Sequence, residues 1–283
     1  MAKYQLPIGE RYEVPQDKIL VGNMLFPRQI AAFQTDAKID NSKYALVQDG
    51  DIVVAVSTFP RYFSDGGKNF ADANIDALKD DLIVTSPRIF LRSWADVNSA
   101  LRGEGVRYNS SGKLIETEQT IRDAQVVNSA WVYLNARFPQ GAGFRGLDIV
   151  TITGIKDGNP VFTRMPLNRC LEEVCLADVE SMNEQGMLTQ KAKTNEYEPG
   201  KTVTFFPPSL RKDKPEEGFV AGFDAISVRA YLICGRNDSI RNASLGVFTS
   251  AKNFCSSDSE GEDSNSKNFS EGASLAENGG KEQ

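Results

Sequence analysis

Residues 131–166 read WVYLNARFPQGAGFRGLDIVTITGIKDGNPVFTRMP, and this stretch decides the fold. Trp131 to Asn135 alternates apolar and polar residues, the period of a half-buried strand. Arg137 to Gly146 is a loop holding two arginines, two phenylalanines and three glycines. Leu147 to Ile155 and Pro160 to Met165 form a hairpin, turned by Lys156-Asp-Gly-Asn159. Strand, loop and hairpin place cations and rings on flexible backbone beside a sheet.

The rest of the chain repeats the pattern. Tyr44 to Val47 and Asp51 to Thr58 flank Gln48-Asp49-Gly50, and Asp-Gly between two β-type runs signals a hairpin. Leu82 to Thr85 reads as a short strand, because Pro87 holds Ser86 extended. Thr202 to Phe206 is a strand stopped by Pro207 and Pro208, and Ala225 to Cys234 is a longer one. Three helices are expected. Asp72 to Leu82 is weakly periodic. Trp94 to Arg102 has Ser93 as its N-cap and Gly103 past its end. Asn168 to Glu184 is the clearest, with Leu171, Val174, Cys175, Val179 and Met182 on one stripe, Asn168 as cap and Gly186 as stop. The expected class is α+β: a mainly antiparallel sheet or barrel-like core, two or three flanking helices, and a disordered acidic C-terminal tail. The expected divisions are an extended arm over 1–18, one β-rich domain over 19–254, and a Ser-rich tail over 255–283.

The chain has 283 residues and a formal net charge of −6, unevenly spread. Residues 256–283 hold seven acids against two lysines, a charge of −5, which leaves the body at −1 with 30 basic and 31 acidic residues. Such a tail has too little apolar area to offset the entropy of ordering it. There is no histidine, so Ser-His-Asp and Cys-His catalysis and histidine metal sites are excluded within this chain. Cys170, Cys175, Cys234 and Cys255 contain no C-x-x-C pair and read as reduced, small apolar residues. No metal, cofactor or enzymatic activity is expected. Neither a signal-peptide run nor a membrane-length apolar stretch occurs, which suggests a reducing compartment such as a bacterial or virus-infected cytoplasm.

Gly141 to Gly146 matches G-x-G-x-x-G, but a strand follows it. A dinucleotide site needs a helix there to receive the pyrophosphate, so the match is read as accidental. The more informative pattern is arginine interleaved with rings. The candidate nucleic-acid contacts are Arg61, Tyr62 and Phe63; Arg88, Phe90, Arg92 and Trp94; Arg107 and Tyr108; and Arg137, Phe138, Phe144 and Arg145. Single-strand binders need cations for phosphates and flat rings for unpaired bases. Arginine suits both tasks through bidentate contacts and stacking.

Asp258, Glu260, Glu262, Asp263 and Phe269 form a candidate docking strip for replication or transcription proteins. A body followed by an acidic tail is similar in layout to bacteriophage single-stranded DNA-binding proteins, although no motif is shared. That layout implies a non-catalytic coat on single-stranded DNA in replication or recombination. The competing expectation is a virion structural or assembly protein such as a capsid, tail or tube subunit. A carboxylate-based enzyme ranks last, since Asp80-Asp81, Glu172-Glu173 and Glu216-Glu217 are adjacent pairs that need not converge.

Overall fold

A computed structural model describes residues 18–21, 24–27, 43–49, 52–58, 61–62, 70, 74, 77, 82–129, 131–156, 159–226, 228–237, 245–246 and 248–250. Residues 1–17 of the expected 1–18 arm, Phe63 and the acidic tail lie outside them.

The protein is mostly β-sheet, with two helices described in full. The strands are β1 (Lys18–Val21), β2 (Met24–Pro27), β3 (Tyr44–Asp49), β4 (Ile52–Ser57), β5 (Arg61–Tyr62), β6 (Leu82–Val84), β7 (Trp131–Phe138), β8 (Asp148–Lys156), β9 (Asn159–Pro166), β10 (Cys175–Asp178), β11 (Thr202–Phe206), β12 (Phe219–Ile226), β13 (Arg229–Arg236), β14 (Leu245–Gly246) and β15 (Phe248–Ser250). The helices are α1 (Pro87–Leu101) and α2 (Thr117–Val127). A seven-stranded sheet runs β10-β11-β13-β12-β7-β8-β9, and a four-stranded sheet runs β3-β4-β15-β6. In the large sheet only β11 and β13 are parallel. Among the described strands its order is open, with β10 and β9 at the ends and no pairing that closes a barrel.

One core joins the two sheets, and α1 lies in it. Ile89, Phe90, Leu91 and Trp94 pack with Val47, Val54 and Val56 of the small sheet and with Val132, Leu134, Phe223 and Leu232 of the large one. Pro87 stands at the first helical position, where its missing N–H removes no bond, and the Ser86 side chain accepts from Ile89 N. The helix therefore starts six residues before the expected Ser93 cap. Ile89 and Phe90 sit in that extra turn and complete its apolar face.

Two further expectations are corrected. Asn168–Glu184 is not a helix. Residues 167–174 are irregular, β10 occupies 175–178, and a single 3-10 turn covers Val179–Ser181. Propensity is a weak prior, and here the edge of β11 captures Cys175–Asp178 in antiparallel register. Gly186 does take a positive φ of 80°, but it closes the Asn183–Gly186 turn against the α1 backbone, where a Cβ would lie 2.3 Å from Arg88 N. The run Ala225–Cys234 is two strands, β12 and β13, reversing between Ile226 and Arg229. Helix α2 was not anticipated. Its buried residues are Thr120, Asp123 and Ala124, so it has no apolar stripe to detect. Of the weakly periodic 72–82 segment, the described Asn74 and Ala77 are helical and buried, as is Phe70 just before it.

Candidate nucleic-acid interface

Among the described side chains, the sequence-predicted contacts do not gather on one surface. Phe90, Trp94 and Phe138 are 1% exposed or less, and Tyr108 is 5% exposed. Phe90 and Trp94 both pack on Phe223, with centroids 4.6 and 5.2 Å away. The Trp94 indole N–H donates to Asn128 Oδ1 at 2.7 Å. Phe144 is half-buried against the same core. A ring enclosed by protein offers no face to a base.

The arginines are mostly structural. Arg88 bonds the Asp49 carboxylate and donates to Asn183 O at 3.1 Å, tying α1 to the β3–β4 hairpin. Arg107 is buried against Asp123 at 2.7 Å. Arg92 is half-buried on α1. Arg137 lies over the Phe70 ring, 5.2 Å from its centroid. Arg145 is exposed, has a φ of 57°, and donates to Glu172 O at 3.1 Å. Arg61 and Tyr62 sit on β5 beside β14.

A different group of rings and cations shares one face of the large sheet. Val132, Leu134, Phe205, Phe223 and Leu232 point into the core. Their neighbours along the same strands point the other way. Register places Thr204 beside Tyr231, Tyr231 beside Asp224 and Asp224 beside Trp131, a straight row across β11, β13, β12 and β7. Phe206 and Ile233 form the next pair on β11 and β13. Phe206 and Tyr231 are 6.0 Å apart between centroids and tilted at 53°. Trp131 is 41% exposed, and Phe206, Tyr231 and Ile233 are half-buried. Farther along this face, Phe70 covers Tyr133 and Val220 in a small separate cluster.

Arg236 joins the row from the end of β13. Its guanidinium lies 4.3 Å from the centre of the Trp131 ring, close enough for cation–π attraction. Gly222 makes that path possible, because a Cβ there would meet Arg236 Cδ at 2.7 Å. Arg236 also faces Asp224 at 3.8 Å. Burial pushes the Asp224 carboxyl up, opposed by Arg236, and burial lowers the Arg236 guanidinium, opposed by Asp224. Asp224 Oδ1 and Arg236 Nε are buried with no hydrogen-bond partner among the described residues. The pair is therefore only loosely satisfied. Alternation in β7, β11 and β13 carried the signal for this face, but adjacency of ring and arginine in sequence pointed elsewhere.

The glycine loop Gly141–Gly146 closes round a carboxylate of its own chain. Asp148 accepts from Ala142 N at 2.9 Å and from Arg164 Nε at 2.7 Å. Those bonds, Arg164 first, hold its carboxyl below the usual aspartate range. A depression of about 550 Å3 is lined by Arg169, Cys170, Leu171, Glu172, Glu173 and Thr189. Burial pushes the Cys170 thiol up to about 11, so it is protonated and a poor nucleophile at neutral pH. Among the described residues no three Cys, Asp or Glu side chains group as a metal site, and no helix is long and apolar enough to cross a membrane.

Compared with protein-family models, with curated proteins and with solved structures, the chain matches none.

Proposed function

We propose that this chain binds single-stranded nucleic acid, single-stranded DNA foremost, without catalysing a reaction, and that it works in replication or recombination, as a bacteriophage coat protein would. The observation that carries the reading is the sheet face that holds exposed Trp131 against Arg236 and half-buried Tyr231 against Phe206. Flat side chains on an accessible sheet are a common platform for unpaired bases, each stack contributing about 1–3 kcal/mol. In this reading the Trp131–Arg236 pair and the Phe206–Tyr231 pair each accept a base, and Arg229 at the start of β13 supplies a phosphate contact. The near-neutral body favours a weak grip, whose salt dependence scales with the number of phosphates its cations neutralise. The acidic tail, with Asp258, Glu260, Glu262, Asp263 and Phe269, would regulate access and dock replication or transcription proteins.

Intrinsic fluorescence tests this reading with a built-in control. Trp94 is sealed in the core and Trp131 is accessible. Adding oligo-dT at low salt should quench emission, and the quenching should vanish in Trp131→Phe and reverse on adding salt. Unchanged emission at low salt, or quenching that survives Trp131→Phe, counts against it.

A second reading, a virion assembly subunit, draws on the accessible outer edge of β9. Its mark is concentration-dependent growth into large particles without nucleic acid.

A further inference from the structure

The outer edge of β9 ends the large sheet, and among the described strands none pairs with it. Which of its backbone groups point outward follows from Asn135. That side chain accepts from Ile152 N at 2.9 Å and donates to Ile152 O at 2.7 Å, so the main-chain groups of Ile152 face β7. Ile152 is directly opposite Phe162. In an antiparallel pair, residues that do not bond one another turn their N–H and C=O away from each other. Phe162 therefore faces outward, and by alternation so do Pro160, Arg164 and Pro166. Leu167, on the opposite parity, confirms the phase, since its N–H donates to Leu147 O at 3.1 Å. Two of the four outward residues are prolines and lack an N–H. The edge thus offers two donors, Phe162 and Arg164, with a proline stop on either side.

We propose that this edge pairs with its counterpart on a second copy of the chain, antiparallel about a two-fold axis at Thr163. Phe162 then faces Arg164 of the second copy, and Arg164 faces Phe162. Both donors of each copy find carbonyls, giving four main-chain hydrogen bonds. Pro160 falls opposite Pro166, where neither has an N–H and Pro166 O already accepts from Gln185 Nε2 at 2.9 Å, so the ladder ends where the donors end. The side chains disfavour the neighbouring register centred on Arg164. A two-fold axis at Arg164 would set like charges against each other, which is unfavourable directly across strands. The axis at Thr163 instead sets ring against guanidinium on one face and Val161 against Met165 on the other. These are the apolar side chains the edge leaves accessible: Phe162 is 61% exposed, Met165 40% and Val161 39%. The Arg164 guanidinium bonds Asp148 and Gln140 O, at 2.7 and 2.6 Å, on the β8 side of the strand. The two proline stops also explain why the edge would close as a dimer and not extend into a fibre.

Sedimentation of the full chain should give twice 31.1 kDa at micromolar concentration. Phe162→Pro removes one outward donor without touching the β8 ladder, and should weaken the dimer at least ten-fold while leaving thermal stability at high dilution unchanged. Thr163→Cys should cross-link through the axis on mild oxidation, whereas Phe162→Cys, which lies off the axis, should not. A chain of 31.1 kDa at all concentrations, a dimer indifferent to Phe162→Pro, or equal cross-linking of the two cysteine variants overturns the proposal.

Discussion

Asn135 shows how much a single side chain can hold. Its backbone N–H leaves the sheet ladder and donates to Thr85 O at 2.9 Å, just beyond β6, while its amide completes the β7–β8 junction through both groups of Ile152. At 2% exposure no water replaces those bonds readily. Asn135→Ala should therefore strand two buried groups and cost about 2–6 kcal/mol in urea unfolding, at about 1–3 kcal/mol for each. Asp96 is a different case. Its residue is half-buried, but its carboxyl is enclosed, and burial raises it to about 7 against the lowering pull of Arg107 and Arg92. The folded state then keeps a proton that the unfolded chain has released. That contribution to stability is present in full below about pH 4 and is lost as pH rises through 7. With no histidine, few other side chains titrate in that window. The melting temperature should fall from pH 5 to pH 8, and Asp96→Asn should fall less; equal slopes would refute the assignment.

Among the elements, α2 is attached by charge more than by oil. Asp123 accepts from Arg107 at 2.7 Å and from Gln119 at 2.7 Å, with both side chains of the ion pair 4% exposed or less. Breaking a buried pair from one side leaves an uncompensated charge, so Asp123→Ala should cost about 3–5 kcal/mol. Replacing both members with apolar residues of similar size should cost less, which denaturation of Asp123→Leu with Arg107→Met would measure. This is also why α2 was not legible in the sequence. Its buried residues are Thr120, Asp123 and Ala124, with Val127 against the core, so two of the four docking positions are polar and apolar periodicity is weak there. The hairpins were legible because Asp49-Gly50 and the alternation in 147–165 act locally. The 168–184 stripe misled for the opposite reason: of its apolar positions only Cys175 lies in the strand added to β11, while Leu171 and Val174 fall in the irregular segment and Val179 and Met182 beyond the strand. The candidate site was the least legible part. Phe90, Trp94 and Phe138 neighbour arginines in sequence, but helix α1 and strand β7 send ring and cation to different sides. Trp131, Tyr231, Phe206 and Arg236 come from three strands far apart in sequence, and register alone brings them together.

At the scale of the molecule, α1 is the joint between a four-stranded and a seven-stranded sheet, and Trp94 is the largest side chain fully enclosed in that joint. Trp94→Ala should destabilise the whole protein by about 3–5 kcal/mol. The two sheets would be expected to unfold together, as a single transition seen by both far-ultraviolet circular dichroism and tryptophan emission. The outer face of the large sheet stands apart from that core, and its residues can be changed at far smaller cost. The claim that this face receives nucleic acid is therefore open to a clean comparison. Fluorescence anisotropy of labelled oligo-dT at low salt should show Tyr231→Ala binding about ten-fold more weakly than the parent chain, the loss of roughly one stacked base at ~1.4 kcal/mol per decade. Arg145→Ala, on the exposed loop far from the row in register, should bind within two-fold of the parent. Equal affinities for the two variants, or no binding by the parent, would contradict the account.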